Sequence, residues 1–119
     1  MSNTGFIRYD VTLQVTWVSN GLPATSYDWQ DMTHATKSMP NIQIKNIGLY
    51  RCVIAWRTSA PTGLSLTAWR YSNNADWPSG GAYLSLDPQQ TENVKFSLVD
   101  VNQPAGNFAF NITIESSPA

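Results

Sequence analysis

From Ile7 to Trp17, within FIRYDVTLQVTWV at 6–18, the polarity of the chain changes at every step. Ile7, Tyr9, Val11, Leu13, Val15 and Trp17 fall on one face, and Arg8, Asp10, Thr12, Gln14 and Thr16 on the other. A period of two held over that length predicts one long β-strand with a single buried face. Turn-forming residues, SNGLP at 19–23, then end it. IQIKNIGLYRCVIAWR at 42–57 predicts strand on both sides of Gly48, with the glycine at a bulge or bend. Its second half places Tyr50, Cys52, Ile54 and Trp56 on one face and Leu49, Val53 and Ala55 on the other. A strand apolar on both faces belongs near the middle of its sheet.

The same alternation returns in LSLTAWRY at 64–71, AYLSL at 82–86, VKFSLVDV at 94–101 and NFAFNITIE at 107–115. It points Val94, Phe96 and Leu98 inward, and likewise Phe108, Phe110, Ile112 and Ile114. Between these runs lie TSAPTG, DPQQTEN and NQPAG, all turn chemistry. Residues 24–41, ATSYDWQDMTHATKSMPN, lack the period. There Thr25 followed by Asp28 resembles a capping box, which predicts either a short helix within 26–36 or an irregular loop, closed by Pro40. About seven strands, separated by turn signals every ~8–12 residues, predict an all-β protein. The expected architecture is an antiparallel β-sandwich, immunoglobulin-like or a compact jelly roll, forming a single domain over residues 1–119. The Cys…Trp…Cys pattern of true immunoglobulin domains is absent.

Composition narrows the function classes. Charged residues make up 13% of the 119-residue chain, about half of the ~25% usual in soluble domains. The formal net charge is −1, and the seven Lys and Arg are scattered. Nucleic acid is therefore not an expected partner, because phosphate binding needs a clustered basic face. No apolar run approaches the ~20 residues of a membrane-spanning helix, so membrane insertion is not expected either. Cys52 is the single cysteine, which excludes an intrachain disulfide. MSNTGFIRYD has neither a basic n-region nor an apolar h-region, so no signal peptide is expected. The expected setting is cytoplasmic synthesis, with the product ending in a virion or another assembled particle; an extracellular setting stays open.

The inventory for catalysis is thin. His34 is the single histidine, which rules out a multi-histidine metal site. Cys52 lies mid-strand and reads as a small buried hydrophobe. Asp28, Asp31 and Asp76 specify no carboxylate pair of the kind glycosidases use. Asn73, Asn74 and Asp76 could offer oxygens to calcium, but their spacing is not that of an EF-hand, and such runs are ordinary turn formers. There is no glycine-rich phosphate loop. NIT at 111–113 matches a glycosylation acceptor, but it lies in a strand of a chain without a signal peptide. No enzyme activity, cofactor or metal is expected.

The aromatic residues carry what signal remains. Trp17, Trp56 and Trp69 lie in strands and are expected in the core or between the sheets. Trp29 in YDW and Trp77 in ADW lie outside them, the first beside Tyr27, the second near Tyr71 and Tyr83. Pro78 drives Trp77 toward extended backbone. Such an indole either folds back over an open end of the sandwich or faces another molecule, since aromatic residues are enriched where surfaces meet. The candidate contact set is Trp77, Asp76, Asn73, Asn74, Trp29 and Tyr27. The expected function is that of a non-enzymatic structural or assembly subunit acting through contacts with protein subunits. A virion decoration, a coat or tail component, or a pilus-like unit would fit. The alternative is a carbohydrate-binding module or small lectin, with Trp and Tyr stacking on a glycan and Asn and Asp bonding its hydroxyls.

Overall fold

The computed structural model describes residues 1–81, 84–102 and 106–119. They form strands β1 (Asn3–Tyr9), β2 (Leu13–Trp17), β3 (Ser26–Asp28), β4 (Thr36–Ser38), β5 (Ile42–Asn46) and β6 (Cys52–Thr58). The chain continues through β7 (Leu64–Arg70), β8 (Ala75–Asp76), β9 (Leu84–Leu86), β10 (Thr91–Asp100) and β11 (Phe108–Pro118). Ala82 and Tyr83 of the expected AYLSL strand, and Gln103, Pro104 and Ala105 of the expected NQPAG turn, lie outside the described residues.

Two packed sheets make the sandwich. The first has the order β3-β1-β11-β6-β9, and the second β2-β5-β10-β7-β8 with β4 also on β10. Every pairing is antiparallel except β1 with β11, which run parallel from Asn3 beside Phe108 to Tyr9 beside Ile114. The inward faces are the alternating apolar positions: Val94, Phe96 and Leu98 of β10, Phe110, Ile112 and Ile114 of β11, Ile54 and Trp56 of β6, and Ile42 and Ile44 of β5 are all buried.

Three expectations are corrected. The alternation at 6–18 is two strands in two different sheets. Leu13 N–H donates to the Asp10 carbonyl in a turn, and the chain passes from β1 in the first sheet to β2 in the second. The turn preserves the parity of the alternation, so nothing in the pattern betrays it. Second, no helix forms within 26–36; β3, turns and the start of β4 occupy that stretch. The Asp28 carboxylate that suggested a cap instead accepts the backbone N–H of Asn3 at 3.0 Å and of Gln30 at 2.7 Å. It thereby ties β3 to β1 and stabilises Gln30 in the left-handed region at φ 62°. Third, β6 begins at Cys52, so Leu49 and Tyr50 stand in the crossover between sheets rather than in a central strand. Of the three strand tryptophans, Trp56 is fully buried, whereas Trp17 and Trp69 are half-buried.

At the Asn3 end of β1, close packing depends on a missing side chain. A Cβ on Gly5 would sit 3.0 Å from Ile112 Cδ1, 3.0 Å from the Trp29 ring and 3.2 Å from that of Phe110. Gly5→Val is therefore expected to lose about 1–3 kcal/mol in chemical denaturation, as overpacked cores do; an unchanged midpoint would show that these rings yield freely.

Candidate functional site

Each of the two loop indoles is packed inside its own protein. Trp77 is 1% exposed. Its N–H donates to the Ala68 carbonyl at 2.9 Å, extending the β8 edge by one residue. Its carbonyl accepts from Trp56 Nε1 at 2.8 Å. The rings of Trp56, Trp77 and Phe96 form one cluster, with centroids 5.1–6.4 Å apart. Trp29 is also buried, stacked on Phe110 at 6.0 Å and met edge-on by Tyr27 at 5.1 Å. Tyr27 is half-buried and reaches Trp17. Among the described residues no ring contact joins the two clusters, so YDW and ADW do not converge on one surface.

The polar members of the candidate set behave as turn residues. Asn73, Asn74 and Asp76 are exposed, and Asn74 takes φ 48°, a conformation asparagine tolerates better than most residues. Among the described residues no group of three or more His, Cys, Asp or Glu side chains could hold a metal ion. Asp31 accepts both the N–H and the hydroxyl of Thr33, and these bonds hold its carboxyl below the ordinary value. His34 is exposed with φ 52°, and its backbone N–H donates to Asp100. Burial pushes the Cys52 thiol up, opposite to what a nucleophile needs.

The sandwich end at the close of β5 carries a surface that the sequence pattern conceals. Asn46 ends β5 and points inward, 1% exposed. Its Oδ1 accepts Gly48 N–H at 2.9 Å, while Nδ2 donates to the carbonyls of Tyr50 at 2.9 Å and Leu86 at 3.0 Å. With its own backbone turned inward onto this one amide, the crossover has its apolar side chains outside. Leu49 is 85% exposed and Tyr50 82%. Beside them stands the turn after β1, whose Val11 is 92% exposed. The two loops touch, since Ile47 N–H donates to the Thr12 carbonyl at 2.9 Å. Half-exposed Ile47 joins the group. A shallow groove of about 350 Å³ runs among Leu49, Tyr50, Thr12, Cys52 and Pro118. At its rim the Arg51–Asp87 ion pair, 2.7 Å long, is more than half exposed on both sides and adds little stability.

These four apolar side chains are what sequence reasoning missed. The available signal was Gly48 followed by Leu49, Tyr50 and then Arg51: the first pair breaks alternation just after a residue suited to a bend. No protein-family model matches the chain, and comparison with curated proteins finds no match.

The burial pattern separates the two surfaces by measurement. Trp77→Ala is expected to lower unfolding free energy by about 3–5 kcal/mol. Asn46→Ala, which strands three backbone groups, should lose at least about 2 kcal/mol. Tyr50→Ser should stay within about 0.5 kcal/mol of the parent. Urea denaturation of the three variants checks this ordering, and a large loss from Tyr50→Ser would contradict the exposure of that ring.

Proposed function

We propose that this protein is a structural or assembly subunit that docks through the apolar end formed by Val11, Ile47, Leu49 and Tyr50. The observation that carries the reading is the exposure of four large apolar side chains on two touching loops, next to a groove. Contiguous exposed apolar surface on a soluble domain marks a contact site more often than chance. The exposed Tyr50 within it suits an interface, with large contact area and few rotatable bonds. The formal net charge of −1 leaves copies of the chain with little mutual repulsion, which favours contacts between copies. A coat, tail or decoration component of a virion, or a pilus-like unit, fits this chemistry.

The alternative, glycan binding through Trp29 and Trp77, needs an indole face within reach of a sugar, and both rings are buried. The mass in solution tests the proposal. Sedimentation at tens to hundreds of micromolar is expected to show an oligomer that a Leu49→Asp, Tyr50→Ser double variant reduces to a monomer without loss of stability. A parent protein that stays monomeric over that range, with or without a signal on a glycan panel, overturns it.

A further inference from the structure

A second feature lies on the long side of the sandwich, toward the opposite end, and is independent of the apolar end. Among the described residues, the β7 edge of the second sheet is only partly covered. Among the described residues β8 pairs with Trp69 and Arg70, and the bond from Trp77 N–H to the Ala68 carbonyl is the last on that side. Pro78 follows, and by Gly80 the chain has crossed to the other sheet, where Gly80 N–H donates to the Trp56 carbonyl at 2.8 Å.

The direction of the remaining backbone groups follows from strand geometry. Tyr71 N–H donates to the Asn93 carbonyl of β10, so odd-numbered residues face that strand. Ala68 C=O faces the other way, toward Trp77. Leu64 C=O, Leu66 N–H and Leu66 C=O therefore point out of the sheet, where among the described residues β7 has no strand partner on that side. From Leu64 to Thr67 the open edge runs about 10 Å at ~3.3 Å per residue, room for three or four residues.

A cleft of about 410 Å³ lies along this edge, lined by Leu66, Thr67, Ala68, Asp76, Trp77 and Ser79. Its floor is apolar and its rim carries hydroxyls. Among the described residues, Asp76 is the one ionisable side chain lining it, and it makes no ion pair. Trp77 Nε1 is buried and has no hydrogen-bond acceptor among the described residues.

We propose that this stretch of β7 accepts an added β-strand: an extended peptide segment of another chain, antiparallel to β7 and in line with β8, with a Lys or Arg at its end nearest Asp76. The ladder of unused N–H and C=O groups selects an extended backbone over any other ligand. The carboxylate of Asp76 sets the sign of the charge the occupant carries, and Trp77 already closes the end where β8 stops.

Amide hydrogen exchange on 15N-labelled wild-type protein tests this. In the free protein the Leu66 amide is expected to exchange at least about 100-fold faster than those of Thr67 and Trp69, which are paired with β10. The probe is an acetylated, amidated heptapeptide of one lysine followed by alternating valine and threonine, at millimolar concentration. It should slow exchange at Leu66 by tenfold or more. The same peptide with alternate backbone nitrogens methylated should not. Asp76→Asn should weaken binding of the lysine peptide several-fold and leave a peptide with threonine in place of lysine unaffected. Protection of Leu66 in the free protein, no effect of the peptide, or equal action of the methylated peptide would each overturn the proposal.

Discussion

The side-chain amide of Asn46 holds one end of this sandwich together. It sits at the last position of β5 and bonds to three backbone groups, two in the crossover and one in β9 of the opposite sheet. A buried amide can be kept only if its donors and acceptor are satisfied. Here the groups that satisfy it fix the path of residues 47–51. Once that path turns its polar backbone inward toward Asn46, Leu49 and Tyr50 have nowhere to go but outward. The exposed apolar end is thus the counterpart of a satisfied polar core, and not loose packing.

A similar exchange occurs around Trp56. Its indole N–H reaches the Trp77 carbonyl, while Trp77 N–H is spent on Ala68. One tryptophan thereby anchors the loop that carries the other, and both rings close on Phe96 from β10 of the second sheet. Because the loop is fixed to β7 at Ala68 and to β6 at Gly80, it bridges the two sheets between these points. Among the described residues, that bridge leaves the first half of the β7 edge uncovered. The anchoring of Trp77 and the opening beside Leu66 have one cause: a chain crossing between layers cannot also continue along an edge.

Much of the fold was legible in the residue pattern because burial in a sandwich follows parity. β10, β7 and β11 read directly, and every inward residue expected of Val94–Leu98 is buried. What escaped were places where the chain changes sheet without breaking parity. Val11 falls in step with Ile7 and Leu13, yet it caps a turn and is exposed. Tyr50 falls in step with Cys52 and Ile54, yet it stands in a crossover. In both cases the decisive contact, Asp10 with Leu13 or Asn46 with Tyr50, is a hydrogen bond that hydrophobic periodicity does not encode. The 24–41 segment failed differently: Thr and Asp at capping spacing serve equally in Asx-type turns, and strand pairing with β1 decided between them. For the indoles the loop position was legible, as was the extended backbone that Pro78 imposes on Trp77. Their burial was not, because it depends on Trp56, Phe96 and Phe110, distant in sequence.

The placement of the two exposed features constrains what an assembly could look like. A self-complementary contact through the Val11–Tyr50 end would be isologous, and it would close after two copies. The β7 edge lies along the side of the sandwich, and its open half is toward the far end from Tyr50. An added strand there would remain accessible in such a pair. Growth beyond two copies would then require a segment that reaches the edge from a neighbouring chain, and the slot's length limits that segment to three or four paired residues. So short a ladder is weak by itself. An open edge of this size is therefore tolerable in a free subunit, where a long flat one would invite indiscriminate pairing.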